Sequence, residues 1–119
     1  MDFDWDAWQL AEAKRSSARR NLRQSRLVLA QKEAERLALT IRALEPRVSR
    51  IILFGSVARQ NPKHEHFDID LALEGAPSLA LLEPEVTADG FRIDLVQMEG
   101  LSGRMRENIE REGVVLYGT

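Results

Sequence analysis

Asp68 and Asp70 stand two residues apart in an alternating segment, Phe67 to Leu73, whose other face carries Phe67, Ile69, Leu71 and Leu73. In an extended strand, residues at that spacing share a face and lie roughly 6.6–6.8 Å apart at Cα, so the two carboxylates point the same way. Like charges held together repel and raise each other's proton affinity unless a cation neutralises them. Hard divalent ions such as Mg²⁺ favour a few carboxylates completed by phosphate oxygens. A third carboxylate, Asp94, lies in the apolar run Phe91 to Met98. Delivered from a neighbouring strand, it completes a set that could hold two metals about 3.5–4 Å apart, the arrangement that clamps the attacking and leaving oxygens in nucleotidyl transfer. Gly55-Ser56 offers a phosphate cradle, because glycine lets the backbone come close to an anion and serine adds a hydroxyl donor. Arg59 follows three residues later as a charge partner.

These residues need elements to hold them. The apolar positions Leu27, Ala30, Ala34, Leu37, Ile41 and Leu44 recur at helical spacing, and Pro46 stops the helix at Glu45. Upstream, Asp4 to Leu22 also reads as helix, with Asp4 or Asp6 as cap, but its apolar positions slip in phase near Asn21 to Ser25. Two helices or one bent helix would fit. Val48 to Phe54 is a dense apolar run that reads as a buried strand entering the Gly55-Ser56 turn. Residues 57–66 read as a polar loop or short helix, and a helical turn is expected around Ser78 to Glu83. Phe91 to Met98 reads as a third strand. Ser102 caps a last helix through Glu112, Gly113 takes the C′ position, and Val114 to Tyr117 adds a short strand. The fold class is α/β in the α+β sense. A helical arm, residues 1–45, is expected to dock a partner while continuous with the core, residues 46–119.

Composition removes several functions. The 119 residues contain no cysteine, which excludes disulfides and thiol catalysis. The longest stretch free of Asp, Glu, Lys and Arg is eight residues, as in Ile51 to Ala58, far short of a membrane span. The first residues are acidic where a secretory signal would be basic, so a cytoplasmic location is expected. Seventeen basic against nineteen acidic side chains give a net charge of −2, which speaks against a duplex-DNA binder and makes nucleic acid an unexpected direct ligand.

Taken in order, Leu53-Phe54-Gly55-Ser56-Val57-Ala58-Arg59, Asp68-Ile69-Asp70-Leu71 and Arg92-Ile93-Asp94-Leu95-Val96 resemble the minimal nucleotidyltransferases of the DNA polymerase beta superfamily. The ending Ile109 to Gly118 is similar as well, so the resemblance covers roughly residues 37–118. It implies a small mixed sheet with a C-terminal helix, two Mg²⁺ ions, and ATP as substrate. It also implies that Gly55, Ser56 and Arg59 hold the triphosphate. Asp68, Asp70 and Asp94 would be the catalytic metal ligands, with Asp94 helping to activate the incoming hydroxyl. Many such domains are antitoxins paired with HEPN toxins, which they inactivate by transferring AMP to a tyrosine. The chain departs from the family pattern at Gln60, where glycine is common, at Phe67, where serine is common, and in a longer spacer between Ser56 and Asp68.

Two other functions fit the same residues: a module that neutralises its partner by occlusion, and a homo-oligomeric nucleotidyltransferase acting on a small molecule or RNA. Three further features have plainer readings. His64-Glu65-His66 reads as a solvated loop rather than a zinc site. The six cations from Lys14 to Arg26 read as a wet helix face or a dock for an acidic protein or RNA. Trp5 and Trp8, one helical turn apart, suit an interface or a fold back onto the domain, and Tyr117 reads as a packing residue.

Overall fold

The computed structural model describes residues 2–60 and 67–119. The His64-Glu65-His66 segment lies outside the described residues.

Helix α1, Trp5–Leu44, is a single helix of 40 residues. The Asp4 carboxylate caps it by accepting from the Ala7 amide at 3.0 Å. Asn21 to Ser25, where the apolar phase slips, holds neither proline nor glycine, so nothing interrupts the backbone ladder. Ion pairs one turn apart, Glu12 with Arg15 and Glu33 with Arg36, run along its surface. The helix ends at Glu45, held extended before Pro46 at φ −134° and ψ 86°. The Glu45 carboxylate is nearly buried and accepts from the Arg47 amide, Nε and Nη2. The Arg47 hydrogen bonds hold its carboxyl below the usual range.

Four strands form one sheet in the order β3-β2-β1-β4. They are β1 (Arg50–Phe54), β2 (Ile69–Glu74), β3 (Ile93–Gln97) and β4 (Val114–Tyr117), with α2 (Gly55–Arg59) after β1 and α3 (Gly103–Glu112) before β4. The central strand β1 runs antiparallel to both β2 and β4, while β2 and β3 are parallel. A parallel pair requires a crossover. Residues 75–92 supply it, through a turn bonded from Leu79 to Val86 that buries Leu82 and Val86.

Alternation gives the sheet two faces. Ile51, Leu53, Ile69, Leu71 and Leu73 join Leu27, Ala30, Ala34, Leu37 and Ile41 of α1 in the main core. Ile52 and Ala72 point the other way and meet Met98 and Ile109 beneath α3. The second half of α1 is therefore core. Replacing the fully buried Leu37 with alanine is expected to cost about 2–5 kcal/mol in urea unfolding, since the rigid sheet cannot close the cavity.

Ser102 caps α3, accepting from the Met105 amide. Gly113 ends it at φ −75°, not in the left-handed conformation expected of a C′ glycine. Space dictates glycine here, because a Cβ would lie 2.4 Å from Ile52 Cγ2 and 2.5 Å from the Ile109 carbonyl oxygen. At the far end of the sheet, Arg50 of β1 bonds Glu74 of β2 at 3.0 Å and pairs with Glu110 of α3, and Arg106 joins Glu74 at 3.1 Å. This network pins α3 across the strands and holds the Glu110 carboxyl below its usual range.

Candidate active site

The carboxylates collect at one end of the sheet, on the face that carries α3. Asp70 and Asp94 are register partners on the parallel strands β2 and β3. Side chains at such a pairing stand side by side, and the Asp94 carboxyl is close enough to raise the proton affinity of Asp70. Asp68 immediately precedes β2 and is close enough to act on Asp70 electrostatically. Burial, then the charges of Asp94 and Asp68, raise the Asp70 carboxyl to about 6, while Arg59 opposes the rise. Asp70 is thus a carboxylate crowded by negative charge. Asp94 is 42% exposed and lies 3.6 Å from Arg92 Nη2.

Gly55 closes the site from the β1 side. Its φ is +78°, and a Cβ there would fall 2.3 Å from Asp70 Oδ2. The glycine is required both by its backbone conformation and by the close approach of the carboxylate. Phe54, in register with Asp70, leads the chain into this turn, and Ser56 lies in the first turn of α2. Arg59, at the end of α2, has Nη1 at 3.6 Å from Glu112 Oε2 of α3. It therefore stands between the carboxylates and α3.

Gln60 adopts the left-handed conformation, φ +57° and ψ +31°, and its amide bonds the carbonyls of Ser56 and Val57. A non-glycine residue pays roughly 1 kcal/mol for that conformation. The α2 turn so keeps the geometry a glycine would favour, with Gln60 in its place. Gln60→Gly is expected to raise stability by about 0.5–1 kcal/mol in thermal unfolding, less the entropy glycine adds to the unfolded chain.

Sequence reasoning did not single out the α3 side of this site. A cleft of about 230 Å³ between α2 and α3 is lined by Phe54, Gly55, Arg59, Met105, Asn108, Ile109 and Glu112. Met105, Asn108, Ile109 and Glu112 recur at helical spacing, a pattern that puts them on one face. What was not readable was that this face turns toward Gly55. A larger hollow, about 510 Å³, runs along α3 beside Arg106 and Glu110 and touches none of the three carboxylates.

Among the described residues, no three or more metal-ligating side chains close on a single point. The donor set suits Mg²⁺ nevertheless, since that ion is held by one or two carboxylates with substrate phosphates and water supplying the rest. The paired Asp70 and Asp94, with Asp70's proton affinity raised by burial and then by its neighbours' charges, are a site that a divalent cation would relieve.

The polymerase beta nucleotidyltransferase profile matches residues 38–119. The chain belongs to that family. No curated protein matches it in sequence. Among solved structures, this nucleotidyltransferase is 27% identical to a chain of a toxin-antitoxin complex with AMP-PNP, covering 71% of this chain and 73% of that one at a TM-score of 0.60. It is 25% identical to a chain of a complex between tri-AMPylated Shewanella oneidensis HEPN toxin and MNT antitoxin, covering 76% and 73% at a TM-score of 0.57. A Sulfolobus solfataricus protein described as a putative nucleotidyltransferase shares the fold at 13% identity, covering 79% and 85% at a TM-score of 0.56. The fold expected from the sequence, a small mixed sheet with helices, is the fold observed. No helix among the described residues is long and apolar enough to cross a membrane.

Proposed function

We propose that this nucleotidyltransferase is an antitoxin that transfers AMP from ATP to a tyrosine hydroxyl of a partner HEPN toxin. The observation that carries the reading is the side-by-side placement of Asp70 and Asp94 over Gly55. Its support is the likeness to a chain from a complex with an AMPylated HEPN toxin.

In this reading Gly55 and Ser56 hold the triphosphate. Arg59 leaves Glu112, an exposed pairing of small worth, to balance phosphate charge. Asp68, Asp70 and Asp94 are the metal ligands. Two Mg²⁺ ions, when bound, would neutralise the triphosphate and polarise the α-phosphate. Asp94, the more open of the register pair, takes the proton of the incoming hydroxyl. The hydroxyl oxygen bonds to the α-phosphorus as the bond from that phosphorus to the α,β-bridging oxygen breaks, and pyrophosphate leaves.

Calorimetry of ATP binding in Mg²⁺ checks the site, with GTP, CTP and UTP as competitors. The protein is expected to bind ATP, and Asp68→Asn/Asp70→Asn to weaken binding by about tenfold or more. Failure to bind any triphosphate, with the partner toxin present as well as without it, would remove the proposal.

A further inference from the structure

Helix α1 runs off the end of its own domain. Arg26 bonds the Gly90 carbonyl at 2.6 Å and stacks on Phe91, which packs against Phe67. Among the described residues, these contacts mark the outermost place where α1 meets the body, at the carboxylate end of the sheet. Beyond it, residues 5–25 rise roughly 30 Å at the helical increment. The protein's Cα radius of gyration, 18.6 Å, exceeds the value of about 13.5 Å expected for a compact chain of this length.

The projecting segment keeps the register of the buried face. Arg23 lies one turn before Leu27, and Trp5 lies 18 residues, or five helical turns, before Arg23. The stripe that packs Leu27, Ala34 and Ile41 against the sheet therefore continues outward as Arg23, Arg19, Ser16, Glu12, Gln9 and Trp5, with Trp8 and Arg15 along its edge. These positions are spaced by threes and fours, as in the seam of a two-helix pairing. At the tip, Trp5 meets both Phe3 and Trp8 edge to face, and Phe3, Trp5 and Trp8 remain 59%, 63% and 45% exposed. An aromatic cluster this open marks a contact surface.

Its charge pattern selects the occupant. Residues 2–12 hold four acids, Asp2, Asp4, Asp6 and Glu12, and no base. Residues 14–26 hold six bases and no acid. An acidic partner protein would match the inner half and be repelled by the outer one. A second copy laid antiparallel matches both, because the outer half of each arm meets the inner half of the other, as a two-fold interface requires. A parallel pair would stack like on like. Centred on Lys14, the antiparallel register sets Trp5 opposite Arg23 and Trp8 opposite Arg20. Guanidinium over an aromatic ring is a contact this chain already uses, Arg26 on Phe91 at 4.4 Å and Arg42 on Tyr117 at 3.9 Å.

We infer that the projecting face of α1, from Trp5 to Arg23, pairs antiparallel with the same face of a second copy of this chain. The dimer joins two domains at their carboxylate ends, with the tip of each arm beside the root of the other. The inference is independent of nucleotide chemistry and goes beyond the function proposed above.

Sedimentation velocity over a hundredfold range of protein concentration tests it, with circular dichroism to confirm helix content. The full chain is expected to dimerise, more weakly as salt rises. Trp5→Ala/Trp8→Ala is expected to weaken association by roughly tenfold or more, as loss of buried aromatic anchors does. Arg19→Glu/Arg23→Glu should weaken it comparably, Asp2→Lys/Asp6→Lys should weaken it less, and the four changes combined should restore it toward the unaltered value. A chain that stays monomeric throughout overturns the inference. So does a dimer indifferent to these changes, or a monomer whose stripe is instead needed to bind the partner toxin.

Discussion

Asp70→Asn is expected to stabilise the metal-free protein at neutral pH while abolishing Mg²⁺-dependent nucleotidyl transfer. Both effects come from one crowded carboxylate. Burial and the charges of Asp94 and Asp68 raise Asp70 to about 6, above its ordinary 3.8. Between those values the unfolded chain has lost this proton and the folded chain still holds it. Stability therefore falls as pH rises through that window, and the penalty is complete above about pH 6. Asparagine removes the penalty, a gain of at most about 3 kcal/mol above the window, which solvent screening of this half-buried carboxylate reduces to roughly 1–2 kcal/mol, and none below it. Thermal unfolding in a chelator, from acid to neutral pH, reads the difference. Equal melting curves for the two proteins at neutral pH would show that Asp70 is not strained. The transfer rate should drop by about 10²–10³ or more, because the variant loses charge where the transition state needs a cation. A more stable but inactive variant separates a functional carboxylate from a structural one.

Gly55→Ala is the second large effect. The added Cβ would meet Asp70 Oδ2 at 2.3 Å, and alanine at φ +78° is strained in any surroundings. The close atom belongs to a side chain, so Asp70 can swing aside. The expected outcome is a stability loss of about 1–3 kcal/mol, most of it from the backbone, with a loss of ATP affinity of about tenfold or more as the Gly55 turn and Asp70 are displaced together. Calorimetry with Mg²⁺ and ATP, beside a urea melt, reads both. Unchanged nucleotide affinity would mean that the turn does not carry the phosphates.

The parts of the fold readable from the sequence were those that a single segment decides. The stripe from Leu27 to Leu44 announced its helix, and the alternation around Asp68 and Asp70 announced β2. Pairings between distant segments were not readable in that way. That α1 is continuous through Asn21 to Ser25 follows from an uninterrupted backbone, which apolar phase does not report. The parallel pairing of β2 with β3 aligns Asp70 with Asp94, yet alternation fixes only the face of each strand, not its neighbour or direction. Gly113 was legible as a helix stop, but its reason is the Ile52 methyl group of another element. Glu112 was just the end of a helix until α3 was laid across β1, where it meets Arg59. The candidate carboxylate site was proposed from the sequence for the opposite reason: Gly55-Ser56, Asp68, Asp70 and Asp94 sit in short motifs whose order resembles that of a known family.

The most direct measurement is the mass of the partner HEPN toxin after incubation with this protein, ATP and Mg²⁺, beside the same reaction with Asp94→Asn. The proposed function requires AMP on a toxin tyrosine with the unaltered protein and none with the variant. A toxin that binds the protein and keeps its mass under all conditions would contradict it, leaving inhibition by contact alone.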